Sequence, residues 1–376
     1  MIDSAAFVDH LRAAGVELFT GVPDSLLKEF GAHVMTALPR EQHVITANEG
    51  AAVGLAMGSY LRSGRPALVY LQNSGFGNTI NPLLSLADAE VYGTPMVVLI
   101  GWRGQPGVTD EPQHVKQGRV MTAMLEAMEL PFAVLSPDPD TAREEVIAAV
   151  DTAVEARSPY VLLVEKGTFA KAAQRPEPPA GTAGLASREE ALIAVVEALG
   201  SETINISTTG MLSRELFEYR QRTGSDASRD FLTVGGMGHA SAIALGVALQ
   251  EPEREVWCLD GDGALLMHLG GLAVIADHAP ARYLHVVFNN GVHDSVGGQP
   301  TSISLVDVPA AARALGYRFA TSTSELGEVP AAIAELRAHG GPSLLEVKVR
   351  PGNREGIGRP TRTPAEARAA FMDALR

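Results

Sequence analysis

What most limits the folds open to this chain is the recurrence of short, uninterrupted aliphatic runs between segments of helical spacing. Runs at 67–71, 96–100 and 160–164 alternate with helical patterns near 49–62, 78–90 and 140–156. Further runs at 203–206, 256–259, 283–288 and 343–349 alternate with patterns near 188–199, 239–249 and 264–278. A strand with one wet face alternates apolar and polar residues. A strand covered on both faces loses that alternation and reads as a continuous apolar run. The pattern therefore predicts an α/β fold of mostly parallel sheets flanked by helices. Composition agrees: 46% of residues are hydrophobic but only 5% aromatic, so aliphatic side chains must do the packing.

The periodicity is interrupted over 172–184, where three prolines and two glycines occur without apolar spacing. This reads as a linker. Ser187-Arg188-Glu189-Glu190 then fits a capping box that opens a new domain. The chain is accordingly expected to divide into a first domain, 1–171, a linker, 172–186, and a second domain, 187–376. That suits 376 residues at about 150 per domain. The halves also begin alike. A helical stretch over 7–14 runs through Gly15 into a strand, and one over 191–199 runs through Gly200 into another. Two related domains with nothing folded between them are expected.

A formal charge of −14 and a pI near 5.2 argue against nucleic acid or an anionic membrane as partner. An anionic substrate would need a local basic pocket. The single cysteine, Cys258, sits in the apolar run Val256-Trp257-Cys258-Leu259 and reads as a small buried hydrophobe. The amphipathic first residues lack the pattern of a secretion signal, and no apolar stretch approaches the roughly 18 residues of a membrane span. A cytoplasmic setting is expected.

The stretch Leu259-Asp260-Gly261-Asp262-Gly263-Ala264 ends one buried run and opens a helix. Glycines on both sides of Asp262 let the backbone approach a bulky anion, and a helix N-terminus offers free N–H groups. Asp262 supplies the hard oxygen that Mg²⁺ prefers. A further helix and strand, the 25 residues 264–288, lead to Asn289-Asn290-Gly291-Val292. A crossover of that length sets the two strand ends side by side. Asn290 can then add an amide oxygen and Val292 a carbonyl oxygen to the same cation. Two diphosphate oxygens and a water would complete about six ligands.

Gly-Asp-Gly, some 25 residues and Asn-Asn together resemble the diphosphate motif of the thiamine-diphosphate-dependent enzymes. The resemblance extends over essentially the whole chain and implies thiamine diphosphate with Mg²⁺ as cofactors. It implies cofactor contacts at Gly261, Gly263 and Asn290, and metal contacts at Asp262, Asn290 and Val292. In Val234-Gly235-Gly236-Met237-Gly238 it implies that the Gly235 carbonyl meets the pyrimidine amino group and that Met237 wedges beneath the bent cofactor. It also implies that Glu49, within Ala47-Asn48-Glu49-Gly50-Ala51, is the carboxylate that activates the pyrimidine ring. In the family the pyrimidine domain of one subunit faces the diphosphate domain of another, so a homodimer or larger assembly is implied.

Common members of the family carry a third domain between these two. The compact form is similar to the phosphonopyruvate decarboxylases and their sulfopyruvate-decarboxylating relatives. So are Gly21-Val22-Pro23-Asp24-Ser25, residues 72–78, Asp110-Glu111-Pro112-Gln113-His114 and Gly358-Arg359-Pro360-Thr361. The implied reaction takes CO₂ from a small anionic 2-oxo acid and releases an aldehyde. Asp24 and His114, the latter placed in an irregular stretch after a strand, are the acid–base candidates, with His293 near the metal as a third. Ser25, His293 and the loop cations Arg103, Lys116, Arg354 and Arg359 are candidate substrate contacts. Carboligation by the same cofactor, or a non-catalytic cofactor-binding subunit, remain the alternatives. No dinucleotide-binding Gly-x-Gly-x-x-Gly opens a helix.

Overall fold

The computed structural model describes residues 1–174, 177 and 181–376. Of the expected linker, residues 175, 176 and 178–180 lie outside the described residues. The chain divides into two compact units, Met1–Glu177 and Pro178–Arg376.

Among the described residues, the first unit carries a six-stranded sheet. Its strands are β1 (Phe19–Gly21), β2 (His43–Ile45), β3 (Ala67–Gln72), β4 (Met96–Gly101), β5 (Phe132–Val134) and β6 (Pro159–Val164). Every pairing is parallel, in the order β2-β1-β3-β4-β6-β5. The second unit holds β7 (Ile204–Ser207), β8 (Asp230–Leu232), β9 (Val256–Gly261) and β10 (Tyr283–Asn289). A short antiparallel hairpin follows, β11 (Val292–His293) and β12 (Gln299–Pro300), and then β13 (Phe319–Thr323) and β14 (Ser343–Lys348). The second large sheet is also parallel throughout and runs β13-β14-β10-β9-β7-β8. Numbered by order of appearance, both sheets read second, first, third, fourth, sixth, fifth. The two units are topological copies of one another.

The aliphatic runs are strands because both faces are covered. In β4, Val97 and Leu99 join one apolar cluster while Met96, Val98 and Ile100 join another. In β9, Val256 and Cys258 face one cluster and Trp257 and Leu259 the other. Cys258 is free and buried, as its sequence neighbours suggested. The helix Arg188–Leu199 forms the anticipated capping box between Ser187 and Glu190 and buries Ala191, Leu192, Val195, Val196 and Leu199. No helix among the described residues is long and apolar enough to cross a membrane.

Two expected helices differ. The pattern at 78–90 becomes a 3₁₀ stretch, Asn73–Thr79, a single turn, Ile80–Pro82, and a π turn, Leu83–Ala87. Pro82 has no N–H to give to a regular ladder, and the wider turn follows it directly. The pattern at 264–278 splits into helices Asp262–Met267 and Gly271–His278 across the turn 268–270, with the low-propensity Gly270-Gly271 pair where the second helix starts. His114 is a correction of the other kind. It lies in the first turn of the helix Pro112–Ala127 rather than in irregular chain. Pro112 at the first helical position, pre-set in φ and needing no N–H partner, starts that helix. Lys116 is exposed on the same helix.

Candidate active site

In both sheets the order reverses beside the first strand, between β1 and β3 and between β7 and β9. Ligands of open parallel sheets collect outside the carboxyl ends of the strands at such points. The candidate residues of each unit gather there.

In the first unit Asp24 follows β1 and is buried. Its carboxylate accepts the N–H groups of Leu26 and Leu27 at 2.9 and 3.2 Å and the Gln72 side-chain amide, from the end of β3, at 2.5 Å. Burial raises its pKa, and these bonds and the Arg103 charge only partly oppose that. Arg103, beyond β4, donates to Ser25 Oγ at 2.8 Å from Nη1 and grips Asp110 with Nε and Nη2. Asn73 holds the Arg103 backbone from both sides. His114 is buried, and its Nδ1 has no hydrogen-bond partner among the described residues. Burial, and then the Arg103 charge, lower its pKa.

Glu49 opens the helix Glu49–Ser63, which Asn48 caps through the Ala51 N–H at 2.9 Å. Its buried carboxyl has a pKa raised by desolvation and accepts a 2.6 Å hydrogen bond from the Asn78 side chain, which works the other way. Gly75 lies so close that a Cβ there would overlap Glu49 Oε1. Glu49 and Asp24 are therefore both braced by the segment 72–78. Ser74 ties Gln72 in turn, at 2.6 Å.

In the second unit Asp262 follows β9, and Asn290 follows the neighbouring β10, where Phe288 pairs with Gly261. The spacing argument required these ends to meet, and they do: the Asn290 backbone N–H bonds the Asp262 carboxylate. Asp262 also accepts a 2.6 Å hydrogen bond from Thr301 Oγ1, yet burial still pushes its pKa up to about 6. The Asn290 Oδ1 accepts the Val292 N–H at 3.1 Å. Met237 and His293 converge on Gly263, where a Cβ would come within 3.3 Å of the Met237 methyl and 3.2 Å of the imidazole ring. Burial pushes the His293 pKa down to about 4. Gly235 lies in the loop between β8 and the helix Ala240–Gln250 that also carries Met237.

Residues 3–126 match the family described as thiamine pyrophosphate enzyme, N-terminal TPP binding domain, and residues 208–347 match its C-terminal TPP binding domain. Phosphonopyruvate decarboxylases of Streptomyces viridochromogenes and Streptomyces hygroscopicus are each 36% identical to this chain, over 99% of it and 94% of their own length. A sulfopyruvate decarboxylase of Methanosarcina acetivorans is 27% identical over 98% of the chain and 96% of its own length. The chain belongs to the thiamine pyrophosphate enzymes.

The side chains present suit the cofactor of a thiamine pyrophosphate enzyme. Asp262 is a buried carboxylate with one side-chain hydrogen bond, an arrangement that an added cation would compensate. The oxygens offered by Asp262, Asn290 and the Val292 carbonyl are all of the hard kind that a diphosphate-bridging divalent ion takes. A Cβ built on Gly261, the residue before Asp262, meets nothing within 4 Å, so the backbone there is open to an approaching group.

The remaining cations differ in place. Arg354 lies in the loop after β14, held by Glu189 and Glu218, and lines a cavity of about 500 Å³ with Glu215, Arg222 and Arg350. Arg359 is exposed in the same loop. Several partners were not singled out as site residues in the sequence, although Gln72, Asn78 and Asp110 fall in the stretches that resemble the family. Thr301, Asp294, Gln72, Asn78 and Asp110 all touch a candidate residue, most of them from a distant part of the chain.

Proposed function

We propose that this thiamine pyrophosphate enzyme removes CO₂ from 3-phosphonopyruvate and releases phosphonoacetaldehyde. The full-length similarity to two phosphonopyruvate decarboxylases supports this reading. The observation that carries it is Arg103, a half-buried guanidinium beside Asp24 and Ser25 at the carboxyl edge of the first sheet. A substrate with a second acidic group keeps an anchor after its carboxylate has left, and binding through that anchor can orient the bond being broken.

Bound thiamine diphosphate supplies the electron sink for the pair released as CO₂ departs. Asp262, Asn290 and the Val292 carbonyl would hold Mg²⁺ against the diphosphate, with Gly261 and Gly263 giving room. Gly235 and Met237 would seat the pyrimidine and its bend. Glu49 would share a proton with the far pyrimidine nitrogen, and its raised pKa suits a carboxyl that gives and retakes one. Replacing CO₂ by hydrogen consumes one proton. Asp24, its pKa also raised, is the group poised to deliver it; His114, whose lowered pKa favours the neutral ring, is the other acid–base candidate and would accept a proton before giving one. Ser25, Arg103 and His293, with Arg354 and Arg359 in the loop after β14, are the proposed substrate contacts.

The working form is proposed to be a homo-oligomer in the cytoplasm. The test is an assay of purified protein with thiamine diphosphate and Mg²⁺ on phosphonopyruvate, sulfopyruvate and pyruvate. Phosphonoacetaldehyde as the main product supports the reading. Faster turnover of sulfopyruvate moves the substrate to the sulfonate, the substrate for which the Methanosarcina relative is named. Carboligation as the main activity, or no turnover at all, rejects it.

A further inference from the structure

Behind Asn290 runs a line of hydrogen-bonded polar side chains, with Arg188 and Glu215 buried, that ends at the loop following β14. Asn290 Nδ2 donates to Asp294 Oδ2 at 2.7 Å. Asp294 also receives Arg188 Nη1 at 3.3 Å and the Gly352 N–H at 3.1 Å. Arg188 in turn gives Nε and Nη2 to the two oxygens of Glu215, each at 2.9 Å, and Nη2 to Asn353 Oδ1 at 2.8 Å. The side chains of Arg188, Glu215 and Asp294 are 9%, 1% and 11% exposed.

A carboxamide has nearly the same shape at its two ends, so packing alone cannot choose which end faces a cation. Hydrogen-bond partners make that choice. An ionised carboxylate only accepts, so Asp294 takes the NH₂ end of Asn290 and leaves Oδ1 as the end available elsewhere. Oδ1 has two lone pairs, of which the Val292 N–H occupies one. Asp294 cannot turn away, because Arg188 and the Gly352 amide hold it. Arg188 is itself fixed by a two-oxygen grip from Glu215. Buried charges satisfied on every side make a stiff support, since moving any member strands another.

We propose that Asp294, anchored by Arg188, is a positioning residue that presents the Asn290 amide oxygen to the divalent cation. This rests on the reading that Asp262 and Asn290 hold Mg²⁺. Outer partners of this kind typically alter metal affinity about 10–100-fold when removed.

The test uses the full chain with saturating thiamine diphosphate. Mg²⁺ is titrated against melting temperature, and Mn²⁺ binding is followed by the loss of the free-ion EPR signal. Asp294→Leu should weaken both affinities about 10–100-fold while kcat at saturating metal changes far less. Asp294→Asn keeps an acceptor for Asn290 but loses the charge that holds Arg188, and should fall between. It also carries the test if the leucine variant does not fold. In an Asn290→Ala background, Asp294→Leu should cost no further metal affinity, because the side chain it acts through is gone. Unchanged affinity in Asp294→Leu and Asp294→Asn, or equal losses in both backgrounds, would overturn the proposal. A wild type with no metal response at all would reject the metal assignment of Asp262 and Asn290, and this proposal with it.

Discussion

The hydroxyl of Thr301 donates a 2.6 Å hydrogen bond to Oδ2 of Asp262, across 39 residues of sequence. Thr301 follows β12, and its own N–H binds the Gly291 carbonyl at 2.8 Å. The segment between Asn290 and Thr301 is thereby closed on the end of β9. Asp262 receives its side-chain partner from a residue that no motif marks.

Asp262→Ala should abolish the stabilisation that thiamine diphosphate plus Mg²⁺ gives the wild type, about 2.7 kcal/mol at a hundredfold excess over Kd. Thr301→Val removes the one side-chain donor from a buried carboxylate that keeps only backbone N–H partners, so it should destabilise the unloaded protein by about 1–3 kcal/mol. Loading should shrink that loss, because the cation takes over as charge partner. Chemical denaturation with and without cofactor and metal measures both. Equal losses for Thr301→Val in the two states would contradict a cation at Asp262.

Glu49→Gln keeps the side-chain shape and removes the charge. Cofactor binding should survive while turnover falls about 10²–10⁴-fold. Hydrogen–deuterium exchange at the cofactor's C2, read by NMR after a rapid quench, isolates the step; an unchanged exchange rate excludes the role. Gly75→Ala tests the same carboxyl without touching it, because the added Cβ overlaps Oε1. It should lower activity by a similar order while leaving Mg²⁺ affinity near wild type.

How much of this was legible depended on how local the signal was. Long strands such as β4 and β9 announced themselves because burial on both faces erases polar alternation. The three-residue strands β1, β2, β5 and β8 are too short for any period to appear. The meeting of Asp262 with Asn290 followed from crossover geometry, which one helix and one strand dictate. Thr301 and Asp294 reach the site through side-chain contacts across long stretches of sequence or inside turns, and ordinary polar residues there carry no pattern; Asn78 lay in a stretch that resembles the family, but nothing in it pointed to Glu49. His114 was misplaced because a proline soon after a strand suits irregular chain as well as the first position of a helix. Arg354 was chosen for its glycine-rich surroundings, and composition cannot reveal that Glu189 and Glu218 already hold it.

His43 gives a pH prediction with a definite sign. It is buried, its Nε2 lies 2.8 Å from Tyr70 Oη, and burial lowers its pKa from 6.5 to about 4. Between those values the unfolded chain binds a proton that the folded chain refuses. The stability contribution is therefore complete above pH 6.5 and is lost as pH falls toward 4. From pH 7.5 to 5 this one group should cost about 2 kcal/mol. His43→Gln, which can still bond Tyr70, should lose that much less over the same interval. Parallel pH dependence in urea denaturation of wild type and variant would rule the shift out.

Arg103 decides the substrate prediction. Asp110 takes its Nε and one Nη2 hydrogen, and Ser25 takes one on Nη1, so three of the five guanidinium N–H groups are engaged. Two are left in a fixed plane; Asp110 pairs with the charge directly, and Asp24 and Glu111 act on it from nearby. Arg354 is 44% exposed against 20% for Arg103 and is gripped by two carboxylates, so solvent screens more of what it can offer an anion. Phosphonate carries more charge than sulfonate near neutral pH, and both exceed the methyl of pyruvate. The expected order of kcat/KM is phosphonopyruvate, sulfopyruvate, pyruvate. Arg103→Lys keeps a charge but not the planar fork, and should lower kcat/KM for phosphonopyruvate about 10–100-fold, the scale of a lost charge-assisted hydrogen bond. Pyruvate should change by less than about threefold, because it has no group to lose that contact. Arg354→Ala should affect phosphonopyruvate less than Arg103→Lys does. A variant of Arg103 that slows all three substrates equally would show that the guanidinium serves the fold rather than the phosphonate.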